Sequence, residues 1–318
     1  MKFLIIGGSG FIGNSLSRRL FNRQNKFKIL DLNQSLLYPE QTQLYDVRNS
    51  PPDLSTDGNY DVLINLAAEH KDDVRPTSNY YEVNVTGAIN ACMLADINGI
   101  SKIIFTSTVA VYGYAPKGTS EGGLLNPFGH YGLSKVQAED VYRSWQLRDP
   151  ARRSLVIIRP TVVFGRGNRG NVYNLLRQIS RNKFVMVGNG LNQKSLAYVE
   201  NLAEFMYFSS KFNPGIHLFN YIDKPDFTMN ELVSFVTSLI SPRRIINIRV
   251  PKFFALMIAY ILDFVGRIFD KRFAISVIRI KKFCTDSVYT TAVSSSGFEP
   301  PFELRDAIKD MIQFEFKK

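Results

Sequence analysis

The sequence predicts an α/β fold: a doubly wound, Rossmann-type parallel sheet followed by a smaller C-terminal α/β domain. Short β-branched runs alternate with helical stretches through the first half, which is typical of βαβ units. A glycine-rich turn directly follows the first run, and the alternation ends at Pro160. The 318 residues leave room for about two domains. We therefore expect a Rossmann domain over 1–165, completed by part of 190–222, and a mainly substrate-binding domain over 166–318.

Five apolar runs are predicted to form the strands of the sheet. They are almost continuously apolar, as expected for strands that helices cover on both faces. In chain order they are Lys2–Ile6, Phe27–Asp31, Asp61–Ala67, Lys102–Ser107 and Ser154–Arg159. The stretch Phe11–Phe21 is predicted to be a helix. Helical patterns between the strands indicate parallel pairing.

Composition and charge restrict the classes of partner. With 45% hydrophobic and 21% charged residues, the chain can bury a sizeable core and is not a disordered protein. Its net charge of +11 is compatible with nucleic acid, an anionic membrane surface or a phosphorylated substrate. The charge is uneven, because the segment 242–282 holds ten Lys or Arg residues against two Asp.

The sequence does not indicate a disulfide framework, a metal site, a signal peptide or a transmembrane helix. Two cysteines and three scattered histidines form neither a disulfide framework nor a metal-ligand pattern, so we expect no metal and a reducing cytosol. The N-terminal apolar run is too short for a signal peptide. The uncharged run Phe253–Leu262 has ten residues, whereas a bilayer-spanning helix needs about 20. We expect a cytoplasmic protein, soluble or peripheral on the inner membrane.

The glycine-rich turn predicts a dinucleotide site. Gly7 permits the tight turn, Gly10 lets the backbone approach a pyrophosphate, and Gly13 allows close packing of helix on sheet. The first helical residues, Phe11 and Ile12, then offer backbone N–H groups to the anion.

Asp31 indicates which dinucleotide is bound. It ends the second predicted strand, 18 residues after Gly13. A carboxylate there suits a ribose 2′-hydroxyl and repels a 2′-phosphate, which favours NAD over NADP. The alternative is a loop residue or helix N-cap.

Tyr131 and Lys135 are predicted to share one face of a helix, four residues apart. A free tyrosine has a pKa of about 10, and a nearby ammonium lowers it by favouring the phenolate. Such a pair can exchange a proton with a substrate hydroxyl while hydride moves to a nicotinamide. The alternative, a solvated helix face, is disfavoured by the dinucleotide motif and by the strand that ends at Thr108.

The sequence resembles the extended short-chain dehydrogenase/reductases of nucleotide-sugar metabolism. The resemblance covers nearly the whole chain, and its motifs are the glycine loop, Asp46-Val47, Leu66-Ala67-Ala68, Asn84-Val85-Thr86-Gly87, the run Phe105–Gly113, Tyr131 with Lys135, Arg159-Pro160 and Tyr198–Asn201. It implies that Thr108 hydrogen-bonds the reacting hydroxyl, that Tyr131 is the acid/base and that Lys135 holds the nicotinamide ribose. It also implies that Asp46, Val47 and Ala67 contact the cofactor.

The resemblance also narrows the reaction. Related dehydratases carry Asp-Glu directly after this Thr, and decarboxylases keep a Glu at the second of these positions, where this chain has Val109 and Ala110. What remains is 4-epimerisation or 4-keto reduction, and Asp31 favours the NAD-using epimerases.

Further motifs resemble a bacterial subgroup that contains 4-epimerases of N-acetylglucosaminyl-diphospho-undecaprenol, of O-antigen synthesis. These motifs are residues 67–76, 159–165, 168–176 and 281–284. Ordinary UDP-sugar epimerases have Asn where this chain has Thr161. We expect Thr161, Lys194, Arg279 and Lys281 to bind the substrate, a lipid-linked or nucleotide-linked amino sugar.

Other interpretations remain open. One is a UDP-sugar 4-epimerase or a 4-ketosugar reductase. Another is a dinucleotide-sensing or nucleic-acid-binding module that contacts phosphates through Arg166 and Arg169, although an intact Thr108, Tyr131 and Lys135 argues against it and we expect no nucleic acid. The segment 242–282 is either a buried helix with a solvated basic flank or a helix in the membrane interface that uses Lys271, Arg272, Lys281 and Lys282. Analogy with the family further predicts a homodimer formed through residues 84–98 and 131–148.

Overall fold

The chain divides into two units. The computed structural model describes residues 1–71, 73–240, 248–268 and 277–316. The first unit comprises Met1–Val163, Ala197–Ile222 and Tyr289–Phe302, and the second comprises the remaining segments, Phe164–Leu196, Asp223–Val288 and Glu303–Lys318. The chain leaves the first unit after residues 163, 222 and 302, and it returns to that unit at residues 197 and 289.

A seven-stranded parallel sheet forms the centre of the first unit. Its strands are β1 (Lys2–Ile6), β2 (Lys26–Asp31), β3 (Thr42–Leu44), β4 (Val62–Asn65), β5 (Lys102–Thr106), β6 (Ser154–Pro160) and β10 (Gly215–Tyr221). Their order is β10-β6-β5-β4-β1-β2-β3. The doubly wound, Rossmann-type fold is confirmed. The strand order reverses between β1 and β4, where such sheets bind their ligands at the carboxyl ends.

Helices cover both faces of this sheet. They are α1 (Phe11–Asn22), α2 (Ser78–Tyr81), α3 (Gly87–Ile97), α4 (His130–Leu147) and α6 (Val199–Ser209). Side chains of a strand alternate between faces. Phe3 and Ile5 of β1 therefore pack in the cluster of α1 and α6, whereas Leu4 and Ile6 pack in the cluster of α3 and α4.

Short helical turns complete the first unit. Three are 3₁₀ turns at Ser55–Asp57, Val109–Tyr112 and Val293–Ser296, and a π-helical turn at Glu82–Thr86 joins α2 to α3. The turn at Val109–Tyr112 follows β5 after Ser107 and Thr108, so it begins directly after Thr108.

The second unit contains smaller sheets and amphipathic helices. Its helices are α5 (Asn171–Ser180), α7 (Met229–Ile240), α8 (Lys252–Ile268), α9 (Val277–Cys284) and α10 (Leu304–Phe316). Its strands are β8 (Val185–Val187), β11 (Asp223–Thr228) and β12 (Ile248–Val250), while β7 (Val162–Phe164) and β9 (Gln193–Tyr198) run across the unit boundaries along the chain. β9 pairs antiparallel with β11, and β12 pairs parallel with β8.

The contact between Gly13 and Gly8 fixes helix α1 on the sheet. A Cβ on Gly13 would lie 2.3 Å from the backbone oxygen of Gly8. Because the obstacle is the backbone of Gly8, a Cβ at Gly13 would force α1 away from the glycine turn and disturb that turn.

We predict that Gly13→Ala lowers the melting temperature by several degrees, because the clash costs more than the gain in helix propensity of about 1 kcal/mol. Thermal unfolding followed by circular dichroism measures this. The control is Gly122→Ala, where the nearest atom to the new Cβ would be Ser120 Oγ at 4.0 Å. Equal melting temperatures for the two variants would contradict the prediction.

Candidate active site

The glycine turn between β1 and α1 forms the first part of the site. Gly7 has a φ of +78°, and its N–H donates to the Leu30 oxygen at 2.8 Å. A Cβ on Gly7 would lie 2.6 Å from the Ala67 nitrogen, so only glycine lets this turn approach the segment after β4. Among the described residues no side chain caps α1 at Gly10. The N–H groups of Phe11 and Ile12 therefore remain available for an anion.

Asp31 is held rigidly beside this turn. Its Oδ2 accepts a hydrogen bond from the Ser9 N–H at 2.9 Å, and its Oδ1 accepts one from the Asn33 N–H at 3.0 Å. Each carboxylate oxygen keeps a further lone pair that can accept from a ribose hydroxyl. The fixed negative charge at the turn fits NAD and opposes a 2′-phosphate.

Asp46 and Val47 lie in a separate, well-anchored loop. The Asp46 carboxylate accepts from Arg48 Nη2 at 2.6 Å, and these hydrogen bonds hold the pKa of Asp46 below its usual value. Val47 is buried, and its oxygen accepts from Asn90 Nδ2 at 2.8 Å. Contact of Asp46, Val47 and Ala67 with the cofactor stays a prediction.

The structure brings Thr108 and Tyr131 together. Thr108 follows β5 in extended conformation and begins the 3₁₀ turn Val109–Tyr112, where its Oγ1 accepts from the Ala110 N–H at 3.1 Å. Tyr131 and Lys135 lie in the first two turns of α4. The Thr108 side chain lies close enough to Tyr131 to lower the pKa of its phenol. A hydroxyl that binds next to these two oxygens would meet both a hydrogen-bonding partner and an acid/base.

Burial shifts the pKa values of both Tyr131 and Lys135. Desolvation raises the pKa of Tyr131, and the hydrogen bond with Thr108 lowers it less. The pKa of Tyr131 is therefore raised, whereas the ammonium of Lys135 was predicted to lower it. Lys135 is itself fully buried, with Nζ 4.2 Å from the centroid of the Phe105 ring, and desolvation lowers its pKa to about 7. Tyr131 is therefore protonated near neutral pH, whereas Lys135 titrates there.

Asn84 positions the start of α4, a role that the sequence did not reveal. Its Nδ2 donates to Ser134 Oγ at 2.8 Å, and Ser134 Oγ donates to the Tyr131 backbone oxygen at 2.9 Å. Its Oδ1 accepts from the Glu69 N–H at 3.0 Å. Asn84 lies in the π-helical turn, within the family motif of residues 84–87.

The candidate substrate residues fall in both units. Thr161 follows β6 in the first unit, where it is buried and its N–H donates to the Tyr221 oxygen at 3.1 Å. Among the residues that the structure describes, its Oγ1 has no hydrogen-bond partner. This buried hydroxyl can still accept or donate one hydrogen bond.

Lys194, Lys281 and Arg279 belong to the second unit. Lys194 Nζ donates to the backbone oxygens of Lys282 at 2.8 Å and Thr285 at 2.5 Å, so it caps the C-terminal end of α9. Lys281 lies in the last turn of α9, and the side chain of Arg279 lies outside the part of the chain that the structure describes. Substrate contact by these three residues stays a prediction.

Comparison with known proteins identifies the family. The family model described as "NAD dependent epimerase/dehydratase family" matches residues 3–217. The chain belongs to this family. Its cofactor is NAD.

Individual relatives agree with this assignment. The chain is 45% identical over 315 residues, 98% of its length and 95% of the relative's, to an N-acetyl-alpha-D-glucosaminyl-diphospho-ditrans,octacis-undecaprenol 4-epimerase of Escherichia coli O157:H7. It is 28% identical to a UDP-glucose 4-epimerase of Vibrio cholerae, over 64% of this chain and 65% of that one. A UDP-glucuronic acid 4-epimerase of Bacillus cereus, solved with NAD, shares the fold with a TM-score of 0.74, at 19% identity over 99% of this chain and 98% of that one.

We predict that Asp31→Ala weakens NAD binding and relaxes discrimination against NADP, because the variant loses both a ribose acceptor and the charge that repels a 2′-phosphate. Calorimetric titration of the two dinucleotides measures the ratio of their affinities. Asp140→Ala, at an exposed carboxylate of α4, is the control. An unchanged NAD/NADP ratio in Asp31→Ala would show that the ribose lies elsewhere.

Proposed function

We propose that this protein is an NAD-dependent 4-epimerase that interconverts N-acetylglucosamine and N-acetylgalactosamine on undecaprenyl diphosphate. The identity of 45% along nearly the full length of a relative of that name carries the proposal. The juxtaposition of Thr108 and Tyr131, with Lys135 one turn further on α4, supports it. The product would serve synthesis of a surface polysaccharide such as O-antigen.

The chemistry follows from the three side chains. In its phenolate form Tyr131 takes the proton of the sugar C4 hydroxyl, and Thr108 hydrogen-bonds the same oxygen. A positive charge on Lys135 would favour this phenolate, as the Thr108 hydroxyl does, whereas burial raises the pKa of Tyr131. Bound NAD supplies the acceptor and donor of hydride. After the 4-keto sugar turns its other face, Tyr131 returns the proton, so no net oxidation or reduction results.

The residues after Thr108 disfavour the other reactions of the family. Val109 and Ala110 form the start of the 3₁₀ turn and carry no titratable group. Elimination of water needs an acid and a base next to the reacting carbons. Neither is provided at these two positions.

The described contacts also disfavour nucleic acid as a partner. Arg166 Nε donates to Asp310 Oδ2 at 2.7 Å, and Arg169 Nη1 donates to Glu315 Oε2 at 2.6 Å. Both guanidinium groups are thus neutralised by carboxylates of α10. A phosphate would have to displace these partners.

We further propose that helix α8 lies in the membrane interface. Its outer face is a stripe of large apolar side chains, 45–72% exposed: Phe253, Phe254, Met257, Ile258, Tyr260, Ile261 and Phe264. Its inner face, through Ala255 and Ala259, packs with Val277 and Ile280 of α9. An exposed apolar stripe of this kind on a helix with basic neighbours is typical of interfacial helices.

A helix in the membrane interface would suit a lipid-linked substrate. No helix in the described ranges is long and apolar enough to cross a bilayer. Lys252 begins α8, and Lys281 and Lys282 lie on α9 of the same unit, while Lys271 and Arg272 lie outside the described residues. Each basic side chain near an anionic surface contributes about 1 kcal/mol. Reversible attachment would bring the sugar to the enzyme while the polyprenyl tail stays in the bilayer.

A homodimer through α3 and α4 is also proposed. Ile89, Met93 and Ile97 are spaced four residues apart on α3 and are each 45–60% exposed. They form one apolar stripe on the helix surface. A second copy of the chain would cover this stripe.

We predict that the purified protein epimerises lipid-linked N-acetylglucosamine diphosphate much faster than UDP-N-acetylglucosamine, without net formation of NADH. Tyr131→Phe should lower the rate by about 10²–10⁴-fold, because it removes the acid/base. Tyr207→Phe, on α6, is the control for loss of a phenol hydroxyl. Stoichiometric change in NADH absorbance would instead indicate a dehydrogenase or reductase.

We predict salt-sensitive binding to vesicles that contain phosphatidylglycerol, measured by co-sedimentation. Phe254→Ser/Ile261→Ser should weaken binding at every salt concentration, and Lys271, Arg272, Lys281 and Lys282 changed to Gln should weaken it at low salt. Leu44→Ser/Leu124→Ser changes two exposed side chains of the first unit and serves as control. No binding at low salt, together with efficient epimerisation of UDP-N-acetylglucosamine, would exclude the membrane proposal.

A further inference from the structure

A fully buried ion pair joins helix α4 to strand β6 in the first unit. Glu139 and Arg159 are exposed by only 1% and 2%. Arg159 Nε donates to Glu139 Oε1 at 2.8 Å, and Arg159 Nη2 donates to Glu139 Oε2 at 2.5 Å. Burying two charges is costly, and a well-packed apolar pair is often as stable or more so. A contribution to stability alone is therefore a weak reason for this pair.

The hydrogen bonds of the pair reach the segment that carries Thr108. Ser107 Oγ donates to Glu139 Oε1 at 2.6 Å, and Ser107 immediately precedes Thr108. Arg159 Nη1 donates to the Tyr112 hydroxyl at 2.8 Å, and Tyr112 ends the 3₁₀ turn that Thr108 begins. Both ends of the Thr108 segment are thus tied to the helix that carries Tyr131.

Glu139 also supplies the charge that acts on Lys135. The two residues lie one turn apart on α4, and Lys135 is buried against an aromatic ring. Desolvation lowers the pKa of Lys135 to about 7, and the Glu139 carboxylate opposes this shift. The other titratable groups on α4 are His130, Tyr131, Asp140, Tyr142 and Arg143. Those on the elements packed against α4 are Arg159 of β6, Tyr112 of the 3₁₀ turn, Cys92 and Asp96 of α3, Tyr80 and Tyr81 of α2, Glu82 of the π-helical turn, and His217 and Tyr221 of β10. Among these groups and Glu139, only Glu139 contributes a resolved charge effect on Lys135.

We propose that Glu139, held by Arg159 and Ser107, is a positioning residue of the epimerase: its carboxylate favours the charged form of Lys135, and its hydrogen bonds fix Thr108 against Tyr131. This inference rests on the proposed function. Glu139 acts through its neighbours and does not take part in proton transfer itself.

The test compares the pH profiles of kcat/KM and of NAD affinity between pH 6 and 9. Glu139→Gln preserves the shape of the side chain but removes the charge, and it leaves Arg159 as an unbalanced cation. Both changes lower the pKa of Lys135, so the alkaline limb of each profile should move to lower pH by about one unit. At pH 7.5, kcat/KM and NAD affinity of Glu139→Gln should each be about tenfold lower than those of the unchanged protein. At pH 6 most of this difference should disappear.

Glu139→Asp separates charge from geometry. It keeps the carboxylate but shortens its reach to Ser107, so the alkaline limb should stay in place while kcat falls about tenfold. Arg143→Gln is the control, because Arg143 Nη2 approaches the same carboxylate only to 3.9 Å and is partly exposed. Its profiles should match those of the unchanged protein.

Two results would overturn the inference. One is an unmoved alkaline limb in folded Glu139→Gln; the other is an unchanged kcat in Glu139→Asp, which also decides the matter if Glu139→Gln does not fold. Failure of the proposed function is distinct from both. In that case the unchanged protein binds NAD but epimerises no sugar, and the pH profile of NAD affinity still tests the charge on Lys135.

Discussion

Parallel pairing of the central strands is the constraint on which the site depends. When all strands run in one direction, their carboxyl ends meet at a single edge of the sheet. The glycine turn after β1, Asp31 at the end of β2, Thr108 just beyond β5 and Arg159 near the end of β6 are thereby gathered from separate parts of the sequence. A parallel sheet needs helices on both faces, and α4 brings Tyr131 and Lys135 to the same unit.

Desolvation has opposite effects on the two titratable groups of the candidate active site. It raises the pKa of Tyr131 and lowers that of Lys135, so both neutral forms are favoured. A proton-transfer reaction needs the charged forms as well. The hydrogen bond from Thr108 to Tyr131 and the carboxylate of Glu139 oppose these shifts. These two polar neighbours therefore favour the phenolate of Tyr131 and the ammonium of Lys135, which are the charged forms that the reaction requires.

Helix α8 shows a similar conflict between packing and function in the second unit. Its small residues Ala255 and Ala259 are buried, while large ones such as Phe253 and Phe264 are exposed. This arrangement is the reverse of the usual distribution, in which large apolar side chains are buried. In water, the exposed side chains of α8 contribute no hydrophobic stabilisation. It becomes favourable when an apolar medium covers the outer face, which supports the proposed contact with lipid.

The sequence by itself determined the fold class, the cofactor and the reaction family, because these depend on local patterns: alternation of strands and helices, a glycine turn, and Tyr131 four residues before Lys135. Tertiary structure alone decided that Tyr289–Phe302 returns to the first unit. It also decided the hydrogen bond from Asn84 to Ser134 and the ion pair between Glu139 and Arg159. It also decided the direction of the Tyr131 pKa shift. Contacts between distant residues and the loss of water around a buried group depend on the folded chain, and no short motif encodes them.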